Sequence, residues 1–116
     1  MAKVLLAEDD PTMVSLLKTL LNMEGFEVVA LDASSDVAAA VEHEQPHALF
    51  MDVHLGGQSG MLILESIRKN EKNQDVRIVM TSGMNMKDEC MSRGADVFLL
   101  KPFMPDDLIK ALRNSP

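Results

Sequence analysis

The sequence contains no tryptophan and no tyrosine, and cysteine occurs once, as Cys90. A single cysteine cannot form a disulfide within the chain, so the composition favours a reducing compartment such as the cytoplasm. Basic residues are also few, because 11 lysines and arginines stand against 18 aspartates and glutamates, for a net charge of -7. With this charge, and without Trp or Tyr for base stacking, the chain is not expected to bind nucleic acid directly.

Long hydrophobic runs are missing as well. No apolar run approaches the ~20 residues that a membrane span requires, and the N-terminal residues show no signal-peptide pattern. The 116 residues, 47% hydrophobic and 25% charged, have the length and composition of one globular domain. We therefore expect a single cytoplasmic domain over residues 1–116 that does not contact a membrane.

Short apolar runs alternate along the chain with longer segments whose apolar residues recur at helical spacing. The short runs predict five strands, at residues 4–7, 26–31, 48–51, 77–81 and 97–100. The longer segments predict five helices, across residues 13–21, 37–41, 61–67, 87–92 and 105–112. Strands that alternate with helices pair in parallel through right-handed crossovers, so the pattern predicts a three-layer α/β/α sandwich.

Polar residues stand at the carboxyl ends of four of the five predicted strands. They are Glu8, Asp9 and Asp10 after the first strand, Asp52 after the third, Thr81 and Ser82 at the fourth, and Lys101 after the fifth. In such folds ligands bind beyond the carboxyl ends of the strands. Carboxylates that converge there repel one another, and a Mg²⁺ ion bound through their oxygens relieves the repulsion. Asp10, just before Pro11, is equally well explained as a helix N-cap.

Four stretches at these strand ends resemble the receiver domain of bacterial two-component response regulators, and the likeness extends over the whole chain. They are the acidic turn LLAEDDP, the phosphoacceptor strand LFMDV, the hydroxyl turn VMTSG and the lysine-proline turn FLLKPF. The resemblance implies a flavodoxin-like (βα)5 fold with a five-stranded parallel sheet in the order 2-1-3-4-5. It also implies a signalling switch rather than an enzyme, one that accepts a phosphoryl group and can lose it by its own hydrolysis.

Carried over position by position, the resemblance implies a role for each residue of the predicted site. Asp52 becomes the phosphoacceptor, the Mg²⁺ ligands become Glu8, Asp9, Asp52 and the backbone carbonyl of His54, and the residues that bind or report the phosphoryl group become Ser82, Lys101 and Phe98. The chemistry supports these roles, because in-line attack of a carboxylate on phosphorus needs positive charge near the equatorial oxygens. Each of these residues, considered alone, has an ordinary structural explanation. Lys101 is then better explained as a surface lysine, and the alternatives for Ser82 and Phe98 are a turn hydroxyl and a core residue. The resemblance also implies a cis peptide bond before Pro102.

The implied partners are a sensor histidine kinase or a phosphotransfer protein as donor, and an effector or output domain downstream. The surface formed by the fourth helix, the fifth strand and the fifth helix would carry the signal and is also the expected surface of a homodimer. Two arrangements stay open: a single-domain regulator that acts through protein contacts, and a receiver joined to an effector.

Two departures from the family pattern bear on these expectations. The loop after Asp52 has Leu55-Gly56 where the family usually has Met-Pro, and Gly57 follows, so we expect a more flexible loop. The interval from Ser82 to Lys101 is shorter than is usual, which predicts that the fourth helix has lost nearly a turn.

Two other functions fit part of the pattern. A degenerate receiver that binds a partner without phosphorylation would explain the altered loop and the short fourth helix, but the intact acidic, hydroxyl and lysine residues argue against it. A phosphatase of the haloacid dehalogenase type also uses an aspartate nucleophile with Mg²⁺ and a lysine. Its nucleophile lies in a D-x-D pair after the first strand, whereas Asp52 follows the third and His54 occupies the second position.

Overall fold

The structure is a computed structural model, and it describes residues 2–113 of the chain. Its strands are β1 (Lys3–Ala7), β2 (Glu27–Leu31), β3 (Ala48–Asp52), β4 (His54–Leu55), β5 (Gln58–Ser59), β6 (Arg77–Ser82) and β7 (Val97–Leu100). Its helices are α1 (Pro11–Met23), α2 (Val37–Glu44), α3 (Gly60–Lys69), α4 (Lys87–Ser92) and α5 (Pro105–Arg113), with a 3-10 turn at Glu71–Asn73. The predicted domain of residues 1–116 also includes residues 1 and 114–116, which lie outside the described residues.

The five long strands pair in parallel, in the order β2-β1-β3-β6-β7. Counted among themselves they have the order 2-1-3-4-5, so the predicted flavodoxin-like fold is confirmed. All five residues of β3 are buried, as expected for a central parallel strand with helices on both faces. The strand order reverses between β1 and β3, and the carboxyl ends of these two strands carry Glu8 and Asp52.

Apolar side chains of the sheet divide between two cores, one on each face. The first core combines alternate sheet residues such as Val4 and Phe50 with α1 and α5. The second combines the residues between them, such as Leu5 and Met80, with α2, α3 and α4. Because successive strand residues point to opposite faces, Ser82 falls on the same face as Met80.

The helix starts follow local sequence signals. Pro11 occupies the start of α1, where a missing backbone N–H costs nothing. The Asp10 carboxylate accepts hydrogen bonds from the backbone N–H groups of Thr12 (3.0 Å) and Met13 (3.4 Å), so Asp10 is indeed an N-cap. At the start of α3, Ser59 Oγ accepts from the N–H of Leu62 at 3.3 Å.

Several boundaries differ from the predictions. Strand β2 begins at Glu27, because Phe26 lies outside the ladder although its side chain is buried in the first core. Helix α2 continues to Glu44, three residues beyond its predicted end. Helix α4 has six residues and is short, as predicted. Within residues 2–113, no helix has the length and apolar character that crossing a membrane requires.

The segment after Asp52 is a hairpin instead of the expected flexible loop. Strands β4 and β5 pair antiparallel, with His54 opposite Ser59 and Leu55 opposite Gln58. Gly56 takes a φ of +57° at the first position of the two-residue turn, a conformation that hairpin turns require and glycine adopts freely. Leu55 is fully buried in the second core and anchors the hairpin to it.

Candidate functional site

One ammonium group and two buried carboxylates form the centre of the site. Lys101 Nζ lies 2.5 Å from Asp52 Oδ2 and 3.2 Å from Glu8 Oε2, which joins the ends of β1, β3 and β7. Glu8 is 2% and Asp52 7% exposed, so water screens these charges only weakly. Lys101 is therefore a fixed counter-ion and not a free surface lysine.

The buried charges shift one another's protonation. Burial raises the pKa of the Glu8 carboxyl above its ordinary value, although the backbone N–H of Asp10 and the Lys101 ammonium act in the opposite direction. Burial acts on Lys101 as the largest single effect and would lower its pKa. Hydrogen bonds to Asp52 and Glu8 together outweigh it, so the pKa of Lys101 is raised and the ammonium stays charged.

Each oxygen of the Asp52 carboxylate has a protein donor. Oδ2 accepts from Lys101, and Oδ1 accepts from the backbone N–H of His54 at 2.8 Å. The strands hold this arrangement, because the N–H of Val53 donates to the carbonyl of Thr81 at 2.9 Å, and that of Lys101 to the carbonyl of Ser82 at 2.9 Å. The peptide bond between Lys101 and Pro102 is cis, as the sequence resemblance implied.

Asp9 lies at the rim of the site. It is exposed, and its Oδ2 accepts a hydrogen bond from the backbone N–H of Gly56 at 3.0 Å. Glu8 and Asp9 line one cleft. As the side chains stand, the described part of the chain contains no group of three or more His, Cys, Asp or Glu that could hold a metal ion.

The donor chemistry nevertheless fits a hard divalent cation. Glu8 and Asp52 are buried carboxylates that share a single ammonium, and Asp9 adds a third carboxylate at the rim, so negative charge is in excess. Carboxylate and carbonyl oxygens are the ligands that Mg²⁺ takes in proteins. The predicted ligand roles of Glu8, Asp9, Asp52 and the His54 carbonyl stay predictions.

Two neighbouring hydroxyl groups at the end of β6 face opposite sides of the sheet. Thr81 Oγ1 donates to the carbonyl of Leu99 at 2.7 Å, whereas Ser82 Oγ accepts from the N–H of Met84 at 3.1 Å. An accepted bond leaves the hydroxyl proton of Ser82 able to donate to another group. Phe98 is partly buried against the second core, the face to which Ser82 belongs.

Sequence reasoning located Glu8, Asp52 and Lys101, which the structure brings together, and it placed Ser82 and Phe98 on adjacent strands. It missed the two backbone donors that hold the carboxylates, the N–H groups of His54 and Gly56. The sequence did contain one signal for a hairpin, because a Gly-Gly pair such as the one after Leu55 is typical of the two-residue turn between antiparallel strands.

A family model described as "Response regulator receiver domain" matches residues 4–113. The chain belongs to this receiver family. The receiver domain is 32% identical over 119 aligned positions to the nitrate/nitrite response regulator protein NarL of Escherichia coli (strain K12), covering 98% of this chain and 54% of NarL. It is 28% identical over 121 positions to hybrid signal transduction histidine kinase C of Dictyostelium discoideum, covering 97% of this chain and 10% of that protein. The chain thus spans about half, or less, of the length of these curated relatives.

The receiver domain also matches solved structures. The receiver domain of sensor histidine kinase PA1611 from Pseudomonas aeruginosa PAO1 superposes with a TM-score of 0.83 and 25% identity, covering 97% of this chain and 94% of that chain. In that structure a magnesium ion is coordinated in the active site cleft. The chain is therefore a receiver domain by family and by fold.

Proposed function

We propose that this receiver domain is a phosphorylation switch in which Asp52 accepts a phosphoryl group from a phosphohistidine. The donor would be a sensor histidine kinase or a phosphotransfer protein. The observation that carries the proposal is the Lys101 ammonium 2.5 Å from Oδ2 of the nearly buried Asp52 carboxylate. A cation at this distance orients the nucleophile, and it stands where charge on a transferred phosphoryl group would need compensation.

The transfer is a single nucleophilic displacement at phosphorus. A carboxylate oxygen of Asp52 attacks phosphorus, the bond between phosphorus and the histidine nitrogen breaks, and its electron pair stays on the imidazole. The product is an acyl phosphate on Asp52. Mg²⁺, held by Glu8, Asp9, Asp52 and the His54 carbonyl, would supply further positive charge at the phosphoryl oxygens when bound.

The groups around Asp52 divide the remaining tasks. Lys101 transfers its hydrogen bond from the Asp52 carboxylate to the phosphoryl oxygens, and Ser82 donates its hydroxyl proton to one of them. Charge-assisted hydrogen bonds of this kind contribute about 2 kcal/mol each. That is enough to shift the balance between two conformations that differ by a few kcal/mol.

Signal output would pass through the surface of α4, β7 and α5. Three large apolar side chains are exposed along α4, β7 and the segment before α5: Met91 (39%), Leu100 (48%) and Met104 (67%). Exposed apolar groups of this size suit contact with a downstream effector, an output domain or a second receiver in a homodimer. A cytoplasmic location agrees with this role.

The direct test is stoichiometric labelling. Acetyl phosphate with Mg²⁺ should add one phosphoryl mass to the protein, and hydroxylamine should remove it, as it does from an acyl phosphate. Asp52→Asn should abolish the adduct, while Asp88→Asn, a change of the same kind at an exposed position of α4, should keep it. An equally labelled Asp52→Asn protein would place the nucleophile elsewhere. Absence of any adduct would favour a receiver that works without phosphorylation, and repeated turnover of a phosphate ester would favour the haloacid dehalogenase type.

A further inference from the structure

We propose that Gln58 is a positioning residue of the acidic site, which it serves by clasping the β4–β5 hairpin to the loop between β2 and α2. The inference rests on the proposed Mg²⁺ site. It concerns a side chain whose amide contacts neither Asp9 nor Asp52, and which would act on them through the hairpin backbone.

The clasp consists of one side-chain amide and two backbone carbonyls. Gln58 Nε2 donates to the carbonyl of Ala33 at 2.6 Å and to that of Ser35 at 3.0 Å, so both amide protons are used. The loop that receives them is itself ordered, because Asp32 Oδ1 accepts from the N–H of Ser34 at 2.9 Å and from its hydroxyl at 2.6 Å. Gln58 thus ties the hairpin to a preformed partner.

The hairpin tip contacts both this loop and Asp9. A Cβ added to Gly56 would come within 2.4 Å of Ala33 Cβ, which shows how closely the turn is seated on the loop. The N–H of the same Gly56 donates to Asp9 Oδ2. Any movement of the tip away from Ala33 therefore changes the hydrogen bond that orients the Asp9 carboxylate.

The base of the hairpin reaches the second acid. The N–H of His54 donates to Asp52 Oδ1, and the N–H of Gly60, directly after the hairpin, donates to the carbonyl of Val53 at 2.7 Å. The segment of residues 54–59 thereby holds one oxygen each of Asp9 and Asp52. Donors of this kind fix the orientation of a ligating carboxylate, and losing such an outer contact lowers metal affinity about 10- to 100-fold.

The variant that tests the role is Gln58→Met, which keeps the length of the side chain and removes both amide donors. Its matched control is Gln74→Met, because Gln74 Nε2 also donates to a backbone carbonyl, that of Arg68, in an exposed turn. Mg²⁺ would be titrated into the parent and both variants, with the amide shifts of Asp9, Asp52 and Gly56 as the signal. Hydrogen exchange of the Gly56 amide without metal would be measured alongside.

We expect Gln58→Met to bind Mg²⁺ about 10-fold more weakly and to exchange the Gly56 amide faster, with Gln74→Met unchanged in both. Affinity within twofold of the parent, or an equal loss in Gln74→Met, would overturn the role of Gln58. A parent that binds no Mg²⁺ would overturn the metal site itself, a different result from a parent that binds and a variant that binds equally. Should Gln58→Met fail to fold, Gln58→Asn, which keeps the donors but lacks the reach, is subject to the same expectation.

Discussion

Ser82 and Phe98 lie on the same face of the sheet, two positions apart across the β6–β7 pair. In the register of that pair Met80 is opposite Phe98 and Ser82 is opposite Leu100, and both Met80 and Phe98 pack against the second core. Thr81, between Met80 and Ser82, has its hydroxyl bonded to the carbonyl of Leu99. A displacement of Ser82 toward Asp52 would therefore open space beside Phe98, and Thr81 would not take part.

Ser82→Ala should accept the phosphoryl group but fail to transmit the change. In the proposed switch, the contact between the hydroxyl and a phosphoryl oxygen would form only in the phosphorylated protein, so its removal should act on the response and not on the transfer. The measurement is hydrogen exchange across residues 83–104 with and without a beryllofluoride mimic of the phosphoryl group. Parent and variant should differ in how much the mimic changes protection.

The neighbouring hydroxyl supplies the control for that experiment. Thr81→Val also removes one hydroxyl and leaves the side chain nearly the same size, and this variant should keep the response to the mimic. It should lose about 1 kcal/mol of stability, because the carbonyl of Leu99 loses its buried donor. If the mimic alters protection equally in the parent and in Ser82→Ala, the hydroxyl of Ser82 does not couple the site to Phe98.

The fold class and the edge that carries the site were readable from the strand and helix pattern. Parallel strands bring their carboxyl ends to one edge, so the pattern predicts that Glu8, Asp52 and Lys101 lie at that edge. The strand order that makes these residues neighbours was implied by the resemblance to receiver domains. The hairpin was not readable in this way, because strands of two residues carry no periodicity. The close contact of the hairpin with Ala33 and its hydrogen bond to Asp9 both arise from packing between segments that are remote in sequence.

Asp9→Asn should weaken Mg²⁺ binding about 10-fold or more without lowering the stability of the metal-free protein. The amide oxygen can still accept the Gly56 N–H, and one of several crowded negative charges is removed. Asp10→Asn is the matched control, because it removes the same charge from the adjacent residue, and asparagine is as good a helix N-cap as aspartate. A Mg²⁺ titration followed by the Asp52 amide shift gives the affinity of each variant. Equal affinities in Asp9→Asn and Asp10→Asn would mean that Asp9 is not a ligand.

Gly60→Ala should destabilise the protein and disturb Asp52, whereas Gly57→Ala should not. A Cβ at Gly60 would lie 2.4 Å from the carbonyl oxygen of Asp52 and 2.9 Å from Val53 Cα, both backbone atoms, whereas a Cβ at Gly57 would meet nothing within 4 Å. Replacing glycine by alanine gains at most about 1 kcal/mol, and only in a helix interior, whereas Gly60 is the first residue of α3 and overpacking costs about 1–3 kcal/mol. Urea unfolding gives the stability, and labelling by acetyl phosphate gives the reactivity of Asp52. Equal stability of the two variants would contradict the close contact between α3 and the end of β3.

Lys101→Met should destabilise the metal-free protein through the carboxylates that it leaves behind. Glu8 and Asp52 are buried and share the Lys101 ammonium, so its loss leaves two like charges unpaired, at a cost of about 2 kcal/mol for a partly exposed lysine. The double variant Lys101→Met with Glu8→Gln should recover part of that loss, because only one buried charge remains.

Mg²⁺ should stabilise Lys101→Met against urea more than it stabilises the parent, since the ion would replace the missing positive charge. Lys110→Met changes the net charge equally on the exposed side of α5 and serves as the control. If Lys101→Met is as stable as Lys110→Met, the ammonium does not hold the two acids together, and the repulsion between Glu8 and Asp52 must be relieved by another group.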